Sequence, residues 1–176
     1  MAIDLVLART PNVVITLPTI QAFSTGCLMN VDIVTRRHTL SFDEFKALQL
    51  SVYQHMVTGL RAGQLPDNLL RFGVRFADGT KVTTVGQRFD RTQLTQEPPR
   101  GPKLSWLLGG VSMRSGDEEA GVTTVGLWLW PSPPPETFEL AVEWPIGGIE
   151  LSIVELDGTA ITSAAQLSAP YWPQNE

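Results

Sequence analysis

Apolar and polar residues alternate with a period of two along several parts of this chain, and no other feature limits its fold as strongly. The alternation is clearest in four stretches, 27–33 (CLMNVDI), 70–76 (LRFGVRF), 122–130 (VTTVGLWLW) and 137–144 (TFELAVEW). Because successive side chains of a β-strand point to opposite faces, each stretch is predicted to be a strand with one face against a core. Cys27 lies on the apolar face of the first stretch, so we expect a buried cysteine.

Turn residues separate these strands. Asp78-Gly79 stands between 70–76 and a return segment at 81–85, which predicts a β-hairpin. Further strands are predicted at 13–17, where Pro18 closes the run, at 104–114 with a break at Gly109-Gly110, and at 149–156. The total of about eight strands predicts a mainly β chain, an antiparallel two-sheet β-sandwich of immunoglobulin-like or C2-like kind. A jelly roll or an open barrel is the alternative.

The segment 126–145 (GLWLWPSPPPETFELAVEWP) holds three of the five tryptophans. The strand that ends at Trp130 becomes apolar on both faces, which is typical of a central strand. The prolines of 131–135 cannot donate ladder hydrogen bonds, so pairing is predicted to stop there in a stiff loop. We expect the two flanking strands to pair as antiparallel neighbours, with their tryptophans in one core.

One part of the chain has the period of a helix. Ser41 followed by Glu44 forms a capping box, and apolar residues then recur at three- and four-residue spacing, which predicts a helix over about 42–58. We expect a single domain over 1–176, with a helical insertion at about 38–66. A short helix from a threonine cap is predicted at 159–168.

Three motifs together resemble a set of actinobacterial β-domain proteins. These are LRFGVRFADGTKVTTVG at 70–86, LWLWPSPPP at 127–135 and FELAVEWPIGGI at 138–149. The set pairs an F-A-D-G hairpin with a W-P-x-P-P-P turn and an E-W-P strand end, and no activity is known for it. The likeness runs from the early strands to Ile149 and excludes most of the helical insertion. The resemblance implies a compact β domain and transfers no site residue.

Composition excludes several classes of partner. The net charge is −5 and no basic surface is clustered, so neither nucleic acid nor an anionic membrane is an expected partner. The single cysteine rules out an intramolecular disulfide, and no Cys/His spacing is typical of a metal site, so we expect no cofactor and no metal. No signal peptide and no apolar run of ~18 residues is visible, and the chain is predicted to be cytoplasmic.

Catalytic patterns are weak. Cys27 could pair only with His38 or His55, and no nucleophile-elbow motif is found. Glu139 and Glu143 share a strand face but stand about 13 Å apart, beyond the ~5.5 Å and ~6.5–9.5 Å separations of glycosidase carboxylates. A cross-strand partner such as Glu150 or Glu155 stays open as an alternative. We expect a protein that is not an enzyme.

The sequence therefore favours a non-enzymatic interaction or assembly module, whose partner is another protein or a second copy of the chain. The candidate binding residues are Tyr53, Arg71, Arg75, Trp130 and Trp172. The alternative is a sandwich that binds a small ligand or a carbohydrate on tryptophan faces. The third hypothesis is a hydrolase with cross-strand carboxylates.

Overall fold

A computed structural model describes residues 1–53, 69–85, 101–107, 112–116 and 119–169. Within these ranges the chain forms ten β-strands, two α-helices and one short 3-10 helix, Pro145–Gly147. The helices are α1 (Phe42–Ser51) and α2 (Gly158–Ala165). The strands are β1 (Ala2–Arg9), β2 (Val13–Phe23), β3 (Gly26–Arg36), β4 (Arg71–Arg75), β5 (Lys81–Thr83), β6 (Lys103–Trp106), β7 (Ser112–Gly116), β8 (Ala120–Trp130), β9 (Thr137–Trp144) and β10 (Ile149–Asp157).

The strands form two antiparallel sheets, which confirms the predicted two-sheet β-sandwich. The larger sheet has the order β1-β2-β3-β8-β6, and β7 also pairs with β8. The smaller sheet has the order β10-β9-β4-β5, which contains the predicted hairpin of β4 and β5. Side chains from both sheets meet in one core, and Ile15, Leu127, Phe72 and Leu140 are among its buried members.

The break predicted at Gly109-Gly110 lies outside the described ranges, but β6 and β7 on either side of it both pair with β8. β3 pairs with β8 along Ala120 to Leu129, so both shorter strands must lie on the other side of β8. β6 pairs with the end of β8 and β7 with its start. The residues between them, 108–111, lie outside the described ranges.

The predicted pairing of β8 with β9 is wrong. β8 belongs to the six-stranded sheet and β9 to the four-stranded sheet, so the proline-rich segment carries the chain from one sheet to the other. This separates the tryptophans: Trp144 is fully buried in the core, while Trp128 and Trp130 are half-buried on the outer face of the six-stranded sheet. The alternation placed the side chains of each strand correctly, but the sheet to which each strand belongs depends on contacts distant in sequence.

Contacts with α2 hold the proline-rich turn. The hydroxyl of Thr162 donates to the carbonyl of Pro133 at 3.2 Å, and that of Thr159 donates to Pro135 at 3.1 Å. Pro133 is buried, and the Trp130-Pro131 peptide is cis. The turn is thus part of the folded structure, as expected of a stiff connection.

The first strands depart from the sequence-based expectations. β1 was not predicted, and β2 continues through Pro18 to Phe23 instead of ending there. The register of β2 against β3 shifts between Thr16 and Thr19, which is a β-bulge around the proline. A bulge leaves one residue out of the ladder, so a residue without an N–H donor fits there.

Both helices begin at side-chain caps. Ser41 and Glu44 make the predicted capping box, but α1 ends at Ser51, and the residues 54–58 of the prediction lie outside the described ranges. Asp157 caps α2 by accepting a hydrogen bond from the Thr159 N–H, so the predicted threonine cap is wrong. Neither described helix is long and apolar enough to cross a bilayer.

Candidate functional site

Cys27 is the first residue to consider for nucleophilic chemistry. Its side chain is fully buried on the core face of β3, and burial raises the pKa of the thiol to about 12. The predicted core cysteine is therefore confirmed. A buried thiol is inert as a nucleophile, since the thiolate form is the reactive one. His38 is exposed beyond the opposite end of β3, and His55 lies outside the described residues.

The cross-strand carboxylate pair exists in the structure. Glu155 of β10 is the register partner of Glu139 of β9, and both point to the outer face of the four-stranded sheet. The Arg75 guanidinium, hydrogen-bonded to Glu139, lowers the pKa of that carboxyl. A general acid of a glycosidase needs a raised pKa, so the environment of Glu139 is the opposite of what that role requires.

Arg71 and Arg75 lie on β4 with their side chains on this same outer face. Each stands opposite a glutamate of β9: Arg71 is 3.6 Å from Glu143, and Arg75 contacts Glu139 directly. Both predicted binding residues thus take part in ion pairs within the sheet. Among the described residues, the Nε atom of Arg71 is buried without a hydrogen-bond acceptor.

Tyr53 follows α1 and is half-buried against the core. Its hydroxyl lies 3.5 Å from the hydroxyl of Thr123 on β8. Nearby, the indole N–H of Trp144 donates to the hydroxyl of Ser51 at 3.2 Å. Tyr53 therefore belongs to the packing between α1 and the end of the sandwich.

Trp130 lies in a different environment, on the outer face of the six-stranded sheet. Phe23 packs against Trp128 with ring centroids 5.6 Å apart, and Trp128 lies two residues before Trp130 on the same face. Leu28 is the register partner of Trp128. We call the group Phe23, Leu28, Leu107, Trp128 and Trp130 the aromatic patch.

Gly126 joins the two halves of this patch. A side chain there would meet Leu107 at 3.2 Å and Leu28 at 3.3 Å, so these two leucines close over the glycine. Phe23 is 39% exposed and Leu107 is 40% exposed, so the patch reaches solvent at both ends. The group is continuous across strands β2, β3 and β8 and the residue that follows β6.

The structure does not bring the predicted binding residues together. Trp130 is on one outer face, Arg71 and Arg75 are on the other, and Tyr53 packs on the core side. Trp172 lies outside the described residues. Phe23, Leu28 and Leu107 were missed as site residues, although their positions are apolar where strand alternation turns the side chain away from the core.

Metal chemistry finds no support in the described part of the chain. Within it, no group of three or more histidine, cysteine, aspartate or glutamate side chains could hold an ion.

A comparison with protein-family models finds no match. A comparison with curated protein sequences finds none either.

Proposed function

We propose that this chain is a non-enzymatic interaction module that binds another protein through the aromatic patch. The observation that carries the proposal is a continuous group of two tryptophans, a phenylalanine and two leucines on the outer face of a sheet. Single exposed apolar residues are ordinary on protein surfaces, but a contiguous patch marks an interaction site.

The composition and shape of the patch favour a protein as the ligand. Aromatic side chains are enriched in the cores of protein interfaces, with polar residues at the rim. Lys103 is the register partner of Trp130, and Gln21 that of Leu28, so polar side chains stand beside the aromatic ones. The patch spans neighbouring strands of a sheet, which presents a broad surface to a partner.

Two observations support a non-catalytic role. Cys27 has its pKa raised by burial, and Glu139 has its pKa lowered by Arg75. Neither shift prepares the group for nucleophilic or general-acid work near neutral pH. The proposal keeps the cytoplasmic location expected from the sequence, since the one cysteine cannot form an intramolecular disulfide.

The test compares two variants that place the same charge on opposite faces. Leu107→Glu puts a carboxylate into the aromatic patch, and Leu151→Glu puts one on the outer face of β10, where Leu151 is 63% exposed. Each tagged variant is purified from the native cell with the unmodified protein in parallel, and bound proteins are quantified by mass spectrometry. We expect Leu107→Glu to lose a stoichiometric partner that Leu151→Glu retains.

Cross-linking the recovered complex then locates the contact. Lys103, at the rim of the patch, should cross-link to the partner, whereas Lys81 on the four-stranded sheet should not. A partner that Leu107→Glu retains at full occupancy would contradict the proposal. The circular dichroism spectra of both variants must match that of the unmodified protein for the comparison to count.

A carbohydrate ligand is the second candidate, and one observation favours it. A single row of register partners crosses four strands and consists of Gln21, Leu28, Trp128 and Ser105. This row places an amide and a hydroxyl group on the same face as an indole ring. Sugars bind by stacking on such rings while polar groups fix their hydroxyls. Tryptophan fluorescence titrated with a glycan panel should respond in the unmodified protein and lose the response in Trp128→Ala. A flat titration across the panel removes this candidate.

A further inference from the structure

A pocket of about 350 Å³ lies on the outer face of the six-stranded sheet, at the end opposite to the aromatic patch. Its floor is apolar, since Val14 of β2 and Val34 of β3 are register partners on that face and Val34 is 36% exposed. Ligand sites in proteins typically measure ~300–1,000 Å³, so this volume suits a small group. The lining residues are Arg9, Thr10, Asn12, Val13, Val14, Val34 and Arg36.

Two arginines flank the valine floor. Arg9 is the register partner of Val14, and Arg36 follows Val34 by two residues on the same face. With strands ~4.8 Å apart and ~3.4 Å per residue, the Cα atoms of the two arginines are about 12 Å apart. Side chains of this length can converge on one anionic group between them.

Both guanidinium groups have capacity for a ligand. The Nε atom of Arg36 donates to the carbonyl of Pro11 at 2.6 Å, which orients the group and leaves its terminal nitrogens available. Within the described residues, Arg9 and Arg36 form no ion pair. The adjacent Arg37 differs, because it is paired with Glu119 at 3.1 Å.

The end wall of the pocket is fixed. The Asn12 side chain donates to the carbonyls of Arg36 and Arg37, at 3.2 and 2.8 Å. The Thr10 N–H donates to the Val13 carbonyl at 2.8 Å, which closes the turn between β1 and β2. A binding site held by such contacts loses little conformational entropy when a ligand enters. Asp32, the nearest carboxylate on this face of β3, is hydrogen-bonded to Thr124.

We propose that this pocket binds a carboxylate carried on a short apolar body. The carboxylate takes charge-assisted hydrogen bonds from Arg9 and Arg36, and the apolar body lies on Val14 and Val34. The pocket and the aromatic patch share no residue, so this inference is independent of the proposed function. Two sources present this chemistry: a free monocarboxylic acid, and the C-terminal carboxylate of a chain that ends in small apolar residues.

Octanoate and a tetrapeptide ending in Val-Val are the two probes, titrated by isothermal calorimetry and by amide chemical shifts of the ¹⁵N-labelled protein. Octanamide and the C-terminally amidated peptide serve as neutral counterparts with the same apolar body. We expect shifts at Val14 and Val34 with the charged probes, and binding at least tenfold weaker with the neutral ones. Octanoate binding assigns a free acid, and peptide binding assigns a chain terminus; either supports the proposal.

Arg9→Gln and Arg36→Gln should each weaken binding of the charged probe by about tenfold, because a charge-assisted hydrogen bond is lost in each. Lys81→Gln is the matched control, since it removes one positive charge from the other sheet and should bind as the unmodified protein does. Equal binding of charged and neutral probes overturns the proposal. So does unchanged binding in Arg9→Gln, or the absence of binding by both charged probes at millimolar concentration.

Discussion

β8 and β9 are neighbours in sequence and each is a central strand of its sheet, yet they present opposite chemistry to solvent. β8 turns Trp128 and Trp130 to the outer face, whereas β9 turns Glu139 and Glu143 outward and buries Trp144. The outward glutamates are neutralised by Arg75 and Arg71 of β4. Beside the outward tryptophans lie Phe23 and the two leucines of the patch, and on β6 Lys103 and Ser105 are the register partners of Trp130 and Trp128.

The comparison shows that side chains on the outer face of a sheet are not all equally well solvated by water. The paired charges on the outer face of β9 are compatible with water. They change the stability of the fold only slightly, because exposed ion pairs contribute little to the free energy of unfolding. The apolar surface of the aromatic side chains on β8 is different, because removing it from water against a partner is favourable. For this reason the face of β8, and not that of β9, carries the proposed protein contact.

The largest expected effect is on stability, and it differs between the buried Trp144 and the half-buried Trp128. Trp144→Ala removes a fully buried side chain and its hydrogen bond to Ser51, so we expect a loss of about 3–5 kcal/mol in the free energy of unfolding. Trp128→Ala removes a half-buried ring that packs on Phe23, and we expect about 1–2 kcal/mol. Urea denaturation of both variants measures the two values.

Trp144→Phe is the control for the core position. It keeps most of the apolar contact and loses the indole donor, so its effect should fall between those of the two alanine variants. Equal losses for Trp144→Ala and Trp128→Ala would show that β8 and β9 do not differ in the way described.

The second effect concerns the connection that sends β8 and β9 to different sheets. A side chain at Gly158 would lie 2.1 Å from the carbonyl oxygen of Pro134 and 2.5 Å from that of Glu136. Both obstacles are backbone atoms, so Gly158→Ala must displace the turn or α2, and we expect a loss of about 1–3 kcal/mol. The midpoint of thermal unfolding reports the change.

Gly73→Ala on β4 is the matched variant. Its added carbon would be 3.5 Å from the nearest atom, the carbonyl oxygen of Val82, which is ordinary contact. A glycine in the middle of a strand lowers the stability of the folded protein by ~0.5–1 kcal/mol relative to alanine, so Gly73→Ala should be neutral or stabilising. If the two substitutions had the same effect, the close packing of α2 on the turn would not be important for stability.

The smallest expected effect is the pH dependence of the charged face. The folded-state pKa of Glu139 is lowered by Arg75, so the contribution of the pair is present above the unfolded pKa of a glutamate, ~4.3. It is lost as pH falls through the lowered pKa of the folded state. Glu139→Gln should therefore be slightly less stable than the unmodified protein at pH 7, with the difference disappearing toward pH 3.

Urea midpoints of the two proteins at both pH values test this. Glu136→Gln is the control, because Glu136 is exposed in the proline-rich turn and is not a member of the Arg75–Glu139 ion pair. A difference between Glu139→Gln and the unmodified protein that stays constant from pH 7 to pH 3 would exclude the ion pair as its source.

Local features were predicted well where the cause is local. The hairpin of β4 and β5 follows from Asp78-Gly79 between alternating segments, and the start of α1 follows from Ser41 and Glu44. The inward residues of β9, Phe138, Leu140, Val142 and Trp144, follow from the period of two. Each of these depends on residues only a few positions apart.

The candidate site was predicted only in part. Trp130 was named from the sequence, but Phe23, Leu28 and Leu107 join it through the pairing of β2, β3, β6 and β8. The pocket at Arg9 and Arg36 has the same origin, because it needs β1 beside β2 and β1 was not predicted as a strand. Arg36 alone is indistinguishable in sequence from a solvated charge.

The sequence by itself determined which side chains of a strand share a face, that strand pairing stops at the prolines of 131–135, and that Cys27 is buried. These follow from the geometry of the strand and from the missing N–H of proline. The tertiary structure alone decided that β8 and β9 join different sheets. That choice rests on contacts of the turn with α2, more than twenty residues further along the chain, and on the strands that pair on either side. It is the reason why one tryptophan of this segment lies in the core and two lie on the surface.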